Sequence, residues 1–553
     1  MISLSFTDII TDDILIFDGA MGTMLQSAGL PGGVLPESFN ITHPQVVEEI
    51  HRAYVDAGAD VVTANTFGAN PHKLSSGGYS VEEVISAGIA AAKRSGARFT
   101  ALDIGPTGKL LEPMGELSFN EAYDIFARQI TAGVNAGASL IIIETMSDIY
   151  EAKAAVLAAK ENSSLPIVAT MSYDMGGRTF IGCDAVGATL TLCGLGAHAV
   201  GVNCSLGPDE MPPIVETILR HARVPVIVQA NAGLPVVSDG IAAYPLGPEE
   251  YAAFAQKIAR MGVGIIGGCC GTTPEFIRAV KKAVLGISRK MPSPEPHTIA
   301  ASGTRTVSFD NRMTVIGRGI NPFKNPGEAL NSEDCDCIID EAAMQIDAGA
   351  QIININIQPL EAGGAASMRE IIQSVQSMCS APLQIGSTAP DIIEAGCRIA
   401  NGRPIINGTT GIDENMEQIF SIAKRYGALV IGLTIDENGI PQTAQGRLEI
   451  AEKIVSKAQM YGIPANDILI DCIVLTSTSN QKQAAQALEA VRMIKTNLPV
   501  KIILGAHDAP LCCKALNAEF LIAAIDAGLD AAIVNPLSPH IQEILSRCKT
   551  LNC

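Results

Sequence analysis

The sequence has 553 residues and a formal charge of −19, with 47% hydrophobic and 17% charged residues. A chain of that size buries large cores and divides into at least two domains. Its acidic balance repels phosphate backbones and anionic lipid, which excludes a nucleic-acid or membrane-surface role and leaves a small ligand or a protein partner. The opening MISLSFTDIITDDIL has no basic n-region ahead of an apolar core. No apolar run reaches the ~18 residues of a membrane span, so a cytoplasmic protein is expected. Fourteen cysteines in a chain this long do not make the dense framework of a small secreted domain, and most are expected to be reduced.

In chain order, short apolar runs predict strands at 14–17 (ILIF), 60–65 (DVVTAN), 99–105 (FTALDIG) and 140–145 (LIIIET). They continue at 166–173 (PIVATMSY), 199–205 (AVGVNCS), 225–231 (PVIVQAN) and 263–270 (VGIIGGCC). Between them run helical patterns such as PQVVEEIHRAYVDAG and NEAYDIFARQITAGVNAG, apolar at intervals of three and four and stopped by glycine. Buried strands alternating with helices imply a parallel sheet covered on both faces, and eight such units in about 270 residues fit a closed (β/α)8 barrel. A second set of eight follows at 314–321, 351–357, 382–388, 404–410, 428–435, 468–474, 500–507 and 531–536. The fold class is therefore α/β, two consecutive (β/α)8 TIM barrels. The Pro- and Ser-rich SRKMPSPEPHTIAASGTRT separates them, giving domains at 1–290 and 311–553 with a linker at 291–310.

Reactive groups in such barrels gather at the C-terminal ends of the strands. In the first barrel those ends carry Asp18, Asn65, Glu144, Asn203, Cys204, Asn231, Cys269 and Cys270. Three cysteines at one mouth, Cys204, Cys269 and Cys270, suggest zinc with three protein ligands and a fourth position open to substrate. Zinc among thiolates is a weak Lewis acid for carbonyls, but it binds an incoming thiol and holds it as a nucleophilic thiolate. Adjacent residues on a strand face opposite ways, so Cys269 and Cys270 reach one ion only if the backbone bends, a freedom that Gly267, Gly268 and Gly271 would supply. Three other readings compete: a Gly-rich phosphate loop, buried cysteine as core filler, and a vicinal disulfide.

The segments DGAMGTML (18–25), TANTFGAN (63–70), IETMSD (143–148), GVNCSLGP (201–208), QANAGLP (229–235) and GGCCGTTPEF (267–276) resemble the homocysteine S-methyltransferase family. The order of the two barrels is similar to the N-terminal half of the cobalamin-dependent methionine synthase family. The resemblance implies a methyltransferase making methionine, with Cys204, Cys269 and Cys270 as zinc ligands and the homocysteine sulfur as the fourth. Asp18 and Glu144 would contact the amino acid at its ammonium end, while Asn203 and Asn231 would help shape the pocket.

The second barrel resembles the pterin-binding family, which implies 5-methyltetrahydrofolate as methyl donor. Asn321, Asn356, Asn407 and Asp471 match that pattern, and Asp508 or His507 could contribute. The family's strand-one GERxN reads GRGIN at 317–321, its DIN reads NIN at 354–356, with Asn354 replacing the acid, and its DS reads GS at 386–387. Those losses leave an alternative in which another methyl donor is used and the second barrel is a carrier-docking scaffold. No DxHxxG pattern of a cobalamin domain occurs. Methylcobalamin would therefore ride on a corrinoid carrier protein or on a domain outside this sequence.

Overall fold

The computed structural model describes residues 14–75, 77–238, 241–310, 313–321, 332–359, 363–473, 481–505 and 514–551. The chain divides into two compact units, Met1–Glu295 and Pro296–Cys553. Among the described residues no helix is long and apolar enough to cross a membrane.

In the first unit eight parallel strands follow one another: β1 (Leu15–Ile16), β2 (Val61–Thr63), β3 (Phe99–Ile104), β4 (Leu140–Met146), β5 (Ile167–Met171), β6 (Ala199–Asn203), β7 (Val226–Ala230) and β8 (Ile265–Gly268). Each pairs with its sequence neighbour, β8 pairs with β1, and a bridge from Phe17 to Val61 closes the ring. Alternate positions point inward, so Leu15, Phe17, Val61, Ala101, Ile142, Val168, Ile227 and Ile265 fill the barrel as one apolar core. The helices start and stop where the sequence signals it. Ser80 with Glu83, and Ser118 with Glu121, form capping boxes. Gly58 ends its helix at φ 104°, a conformation that a side chain rarely adopts.

The second unit repeats the plan with β9 (Thr314–Gly317), β10 (Ile353–Asn356), β11 (Leu383–Gly386), β12 (Ile405–Thr409), β13 (Leu429–Leu433), β14 (Ile468–Asp471), β15 (Lys501–Gly505) and β16 (Ala531–Val534). Bridges from Ile316 to Ile352 and from Ile320 to Ile355 close it between β9 and β10.

The stretch expected as a linker, 291–310, is partly structured. Ile299–Ala301 pairs antiparallel with Thr306–Ser308. This hairpin sits at the N-terminal ends of the second barrel's strands, where Ala301 exchanges backbone hydrogen bonds with Arg403, just ahead of β12. Ala300, Val307 and Phe309 enter the same apolar core as Ile405, Leu429 and Leu469. Arg403, 2% exposed, pairs with buried Asp467 and donates to Ile299 O and Gly427 O, fixing the plug to the barrel. Two three-residue strands, one buried throughout and the other burying only Val307, carry too little periodicity to stand out of a Pro- and Ser-rich background.

Candidate metal centre

The three thiols arise from two departures from regular strand. Beyond β6, Cys204 and Ser205 adopt φ of 59° and 56°. This left-handed backbone costs a non-glycine residue roughly 1–2 kcal/mol and is held only where neighbours over-determine it. Here Cys204 N–H donates to Gln229 O (3.0 Å), and Asn231 N–H to Leu206 O (3.1 Å). Beyond β8 the chain turns: Thr272 N–H donates to Cys269 O (3.1 Å), the Thr272 hydroxyl donates to the same oxygen (2.7 Å), and Gly271 sits at φ 80°. Cys269 and Cys270 lie in this turn rather than in the strand, so strand alternation no longer separates their side chains.

Gly267 and Gly268 do not make the bend, contrary to expectation; both remain in β8, paired with Gln229 and Ala230. Their lack of a side chain answers a space requirement. A Cβ at Gly268 would lie 2.3 Å from Thr272 Oγ1, and one at Gly267 would lie 2.8 Å from Phe17 Cβ.

As a result the three sulfurs all lie within 4.8 Å of one another, with Cys204 Sγ and Cys270 Sγ 3.9 Å apart. Tetrahedral zinc with Zn–S bonds of about 2.3 Å spaces its sulfurs about 3.8 Å apart, so the trio fits three corners of that ion and leaves the fourth open. Soft thiolates also favour zinc over hard cations. Without a cation, hydrogen bonds from the Cys204 and Cys269 thiols gather the charge on Cys270 and hold it down to about 3. Cys269 is raised because it donates to Cys204 and Cys270 and because it is buried. Cys204 is lowered by its bond with Cys269, then raised further by donating to Cys270 and by burial, to about 12. Binding a dication as three thiolates releases the protons still held by the trio, so apparent zinc affinity should rise steeply with pH between pH 6 and 8, measured by chelator competition; a flat profile would contradict the three-thiolate site.

A cavity of about 410 Å³ opens beside the sulfurs, lined by Asp18, Glu37, Asp103 and Glu144 as well as by the three cysteines. Asp18 accepts from Thr63 N–H (2.8 Å) and from the Thr63 hydroxyl (2.9 Å), yet burial pushes its carboxyl up to about 7. Glu144 rises to about 8 through burial and repulsion from Asp18 and Cys270. Burial raises Asp103 well above the usual range, helped by Glu144, Glu37 and Asp18. Burial also raises Glu37, although it accepts the Gly68 N–H. Four carboxyls crowded out of water are complementary to a cation such as an ammonium group, which would let them ionise.

Of the residues singled out from sequence, Asp18, Asn65, Glu144, Cys204, Cys269 and Cys270 line this cavity. Asn203 and Asn231 stand behind it. Asn203 is fully buried; its Oδ1 accepts from Thr145 N–H (2.8 Å) and the Thr170 hydroxyl (2.7 Å), while its Nδ2 donates to Thr145 Oγ1 (2.7 Å). Thr145 has φ 58°, so Asn203 holds the strained residue that follows Glu144. Asn231 Oδ1 accepts the Cys270 N–H (3.1 Å) and ties down the cysteine turn. Sequence reasoning missed Glu37 and Asp103. The lone acid inside the apolar FTALDIG was a usable signal for Asp103, whereas Glu37 sits in a short 3-10 turn that carries no motif.

In the second barrel Asn356, Gly386 and Asn407 stand level across β10, β11 and β12. Asn356 accepts from Gln358 Nε2 (2.7 Å), and Asn321 lies exposed on the loop after β9. Asn354 is buried on the same strand as Asn356. Asp471 ends β14 buried, accepting from Ile473 N–H (2.9 Å) and Gly505 N–H (3.2 Å), and burial raises it to about 6. Asp508 and His507 lie outside the described residues.

The first unit is thus a barrel with a cluster of three cysteines beside an acidic cavity, and the second is a barrel with amides and one buried acid at its strand ends. Residues 15–284 match the homocysteine S-methyltransferase family and residues 326–535 match the pterin binding enzyme family. The chain is 33% identical to the methionine synthase of Mycobacterium tuberculosis over 575 aligned positions, covering 96% of this chain and 48% of that protein. It is 31% identical to the methionine synthase of Mycobacterium leprae, covering 94% and 47%. The chain therefore spans about half the length of these relatives. Among solved structures, the metallated homocysteine methyltransferase MmuM from Escherichia coli is similar at 22% identity and a TM-score of 0.42, covering 49% of this chain and 96% of that one.

Proposed function

We propose that this chain is a zinc-dependent homocysteine S-methyltransferase that forms methionine, with the methyl group drawn from 5-methyltetrahydrofolate and delivered by a corrinoid carrier on a separate protein or domain. The observation that carries the reading is the convergence of Cys204, Cys269 and Cys270 beside a cavity with four acids, in a barrel that matches the homocysteine S-methyltransferase family. Cys204, Cys269 and Cys270 would hold the zinc, which when bound lowers the pKa of a thiol at its open position. Asp18 and Glu144, with Glu37 and Asp103 on the same wall, receive the amino-acid ammonium and so fix the distance from the amino group to the sulfur. Asn203 keeps Glu144 aimed, and Asn231 keeps the cysteine turn in place. The sulfur lone pair then forms the new C–S bond as the methyl carbon leaves its donor.

One observation favours a second reading, in which another methyl donor serves and the second barrel is a scaffold for the carrier. The level Asn356, Gly386 and Asn407, with Asn354 beneath, offer no carboxylate on β10, β11 or β12. Asp471 is the acid that remains among the described candidates, and it can accept from the donor edge of a pterin. Calorimetric titration of the intact chain with 5-methyltetrahydrofolate separates the two. The first reading expects saturable binding that weakens at least about tenfold in Asp471→Asn, whereas no binding at about 1 mM ligand decides for the second.

A further inference from the structure

In the acidic cavity of the first barrel, most polar atoms already have a hydrogen-bond partner. Three buried acceptors among the described residues of its lining have none: Glu37 Oε2, Asp103 Oδ1 and Gln229 Oε1. A buried polar atom left unpaired costs about 1–3 kcal/mol, and more where it is charged. Asp18 differs, because Thr63 donates to both of its oxygens. Lys73 is the cation beside Glu37 and Asp103, yet it stands over the Phe67 ring, 4.9 Å from its centroid, and supplies neither of their free oxygens with a hydrogen bond.

All three side chains are buried, and each is held from outside the cavity. The segment after β2 does this for the two acids. The Thr66 hydroxyl donates to Asp103 O (2.8 Å) and accepts the Asp103 N–H (3.0 Å). Gly68 N–H occupies the other oxygen of Glu37, and a Cβ at Gly68 would lie 2.7 Å from that oxygen. Asn65 Nδ2 donates to Pro36 O (2.8 Å) and Asn40 Oδ1 (2.9 Å), while Asn40 Nδ2 donates back to Asn65 O (2.7 Å). This clasp fixes the turn that carries Glu37. Gln229 lies in β7, where its backbone oxygen accepts the Cys204 N–H (3.0 Å). One residue thus ties a sulfur to a free acceptor.

We propose that Glu37, Asp103 and Gln229 are the specificity residues for the amino end of the substrate, offering one acceptor to each N–H of an unsubstituted primary ammonium. This rests on the reading of the site as a zinc centre that binds a thiol, and it sets the substrate class: thiols with a free amino group. Asp18 and Glu144 supply surrounding negative charge, and these three supply the hydrogen bonds. An N-acyl nitrogen is neutral and has a single N–H, so it leaves two buried acceptors unpaired; a thiol without an amine leaves all three. Sites built to pair such groups reject ligands that cannot.

The test is calorimetric titration of the full zinc-loaded chain, with no methyl donor present. The ligands are homocysteine, N-acetylhomocysteine and 4-sulfanylbutanoate, which is homocysteine without its amino group. The parent should bind homocysteine at least about a hundredfold more tightly than either analogue. Glu37→Gln, Asp103→Asn and Gln229→Met should each weaken homocysteine about tenfold and leave 4-sulfanylbutanoate no weaker, so that discrimination narrows. Zinc content and a circular dichroism spectrum are taken first, and the three changes lie on separate elements, so loss of fold in one does not remove the others. Equal affinity of the parent for homocysteine and 4-sulfanylbutanoate, or folded variants that weaken both alike or neither, overturn the assignment and leave the zinc–thiol reading standing. A parent that takes up no zinc, or binds none of the three thiols, overturns that reading and this proposal with it.

Discussion

Replacing Cys270 with alanine should abolish stoichiometric zinc binding in the first barrel. Three sulfurs within 4.8 Å define the centre, and the variant keeps two of them. Changes to residues that only orient a ligand cost about 10–100-fold in metal affinity, so loss of a ligand itself should exceed that, on the order of a thousandfold. Homocysteine methylation should fall at least in proportion, because the fourth position then has no ion to complete. The fold should survive, since Cys270 lies in a rim turn outside the core cluster and the turn's ties run through backbone: Cys270 N–H to Asn231 Oδ1, and Ala232 N–H to Cys270 O. The decisive measurement is metal content after dialysis, paired with a thiol-consumption assay and a circular dichroism spectrum. A folded Cys270→Ala protein that retains one zinc and full transfer would remove Cys270 from the ligand set.

What sequence makes visible here follows from which signals are local. All sixteen barrel strands are legible because a strand buried on both faces is a continuous apolar run, as in LIIIET and ILIDCIV, and several of the helices between such runs end in a glycine, as at Gly58, Gly137, Gly196 and Gly427. The plug at 299–308 is not legible, because its burial depends on a barrel formed by residues more than a hundred positions away, such as Arg403 and Asp467. In the site, the thiols are legible as strand-end chemistry, but the backbone that converges them is not. Counting glycines points to Gly267 and Gly268, whereas the left-handed residues are Gly271 and the non-glycines Thr145, Cys204 and Ser205. Asn203 and Asn231 show the same limit. Position at a strand end places them near the cavity, but only three-dimensional partners reveal that one steadies Thr145 and the other steadies Cys270.

The dependence of the metal centre on strand spacing leads to a second large effect, at Gly201→Ala. Gly201 lies in β6, paired with Thr170 on one side and Ile227 on the other, and it belongs to the GVNC motif that ends in the first zinc-ligand candidate. A Cβ built on it would lie 1.8 Å from the carbonyl oxygen of Ile227 and 2.8 Å from that residue's Cγ2. The first obstacle is backbone, so no rotamer change relieves it, and β6 and β7 must part. Ladder bonds between them would stretch, and the core against Val168, Ala199 and Ile227 would loosen. Overpacking in a core costs about 1–3 kcal/mol where side chains can yield; against a fixed carbonyl the cost should reach about 4 kcal/mol. For a unit of this size that lowers the unfolding temperature by about 10 °C, read by calorimetry on the metal-free protein. The displaced strand also carries Cys204, three residues on, away from Cys269 and Cys270. Zinc should then restore less stability to the variant than to the parent, because a cation that binds only the folded state stabilises in proportion to its affinity there. An unfolding temperature within about 2 °C of the parent, with an undiminished zinc-induced rise, would mean that β6 can shift without cost and that its register does not set the sulfur geometry.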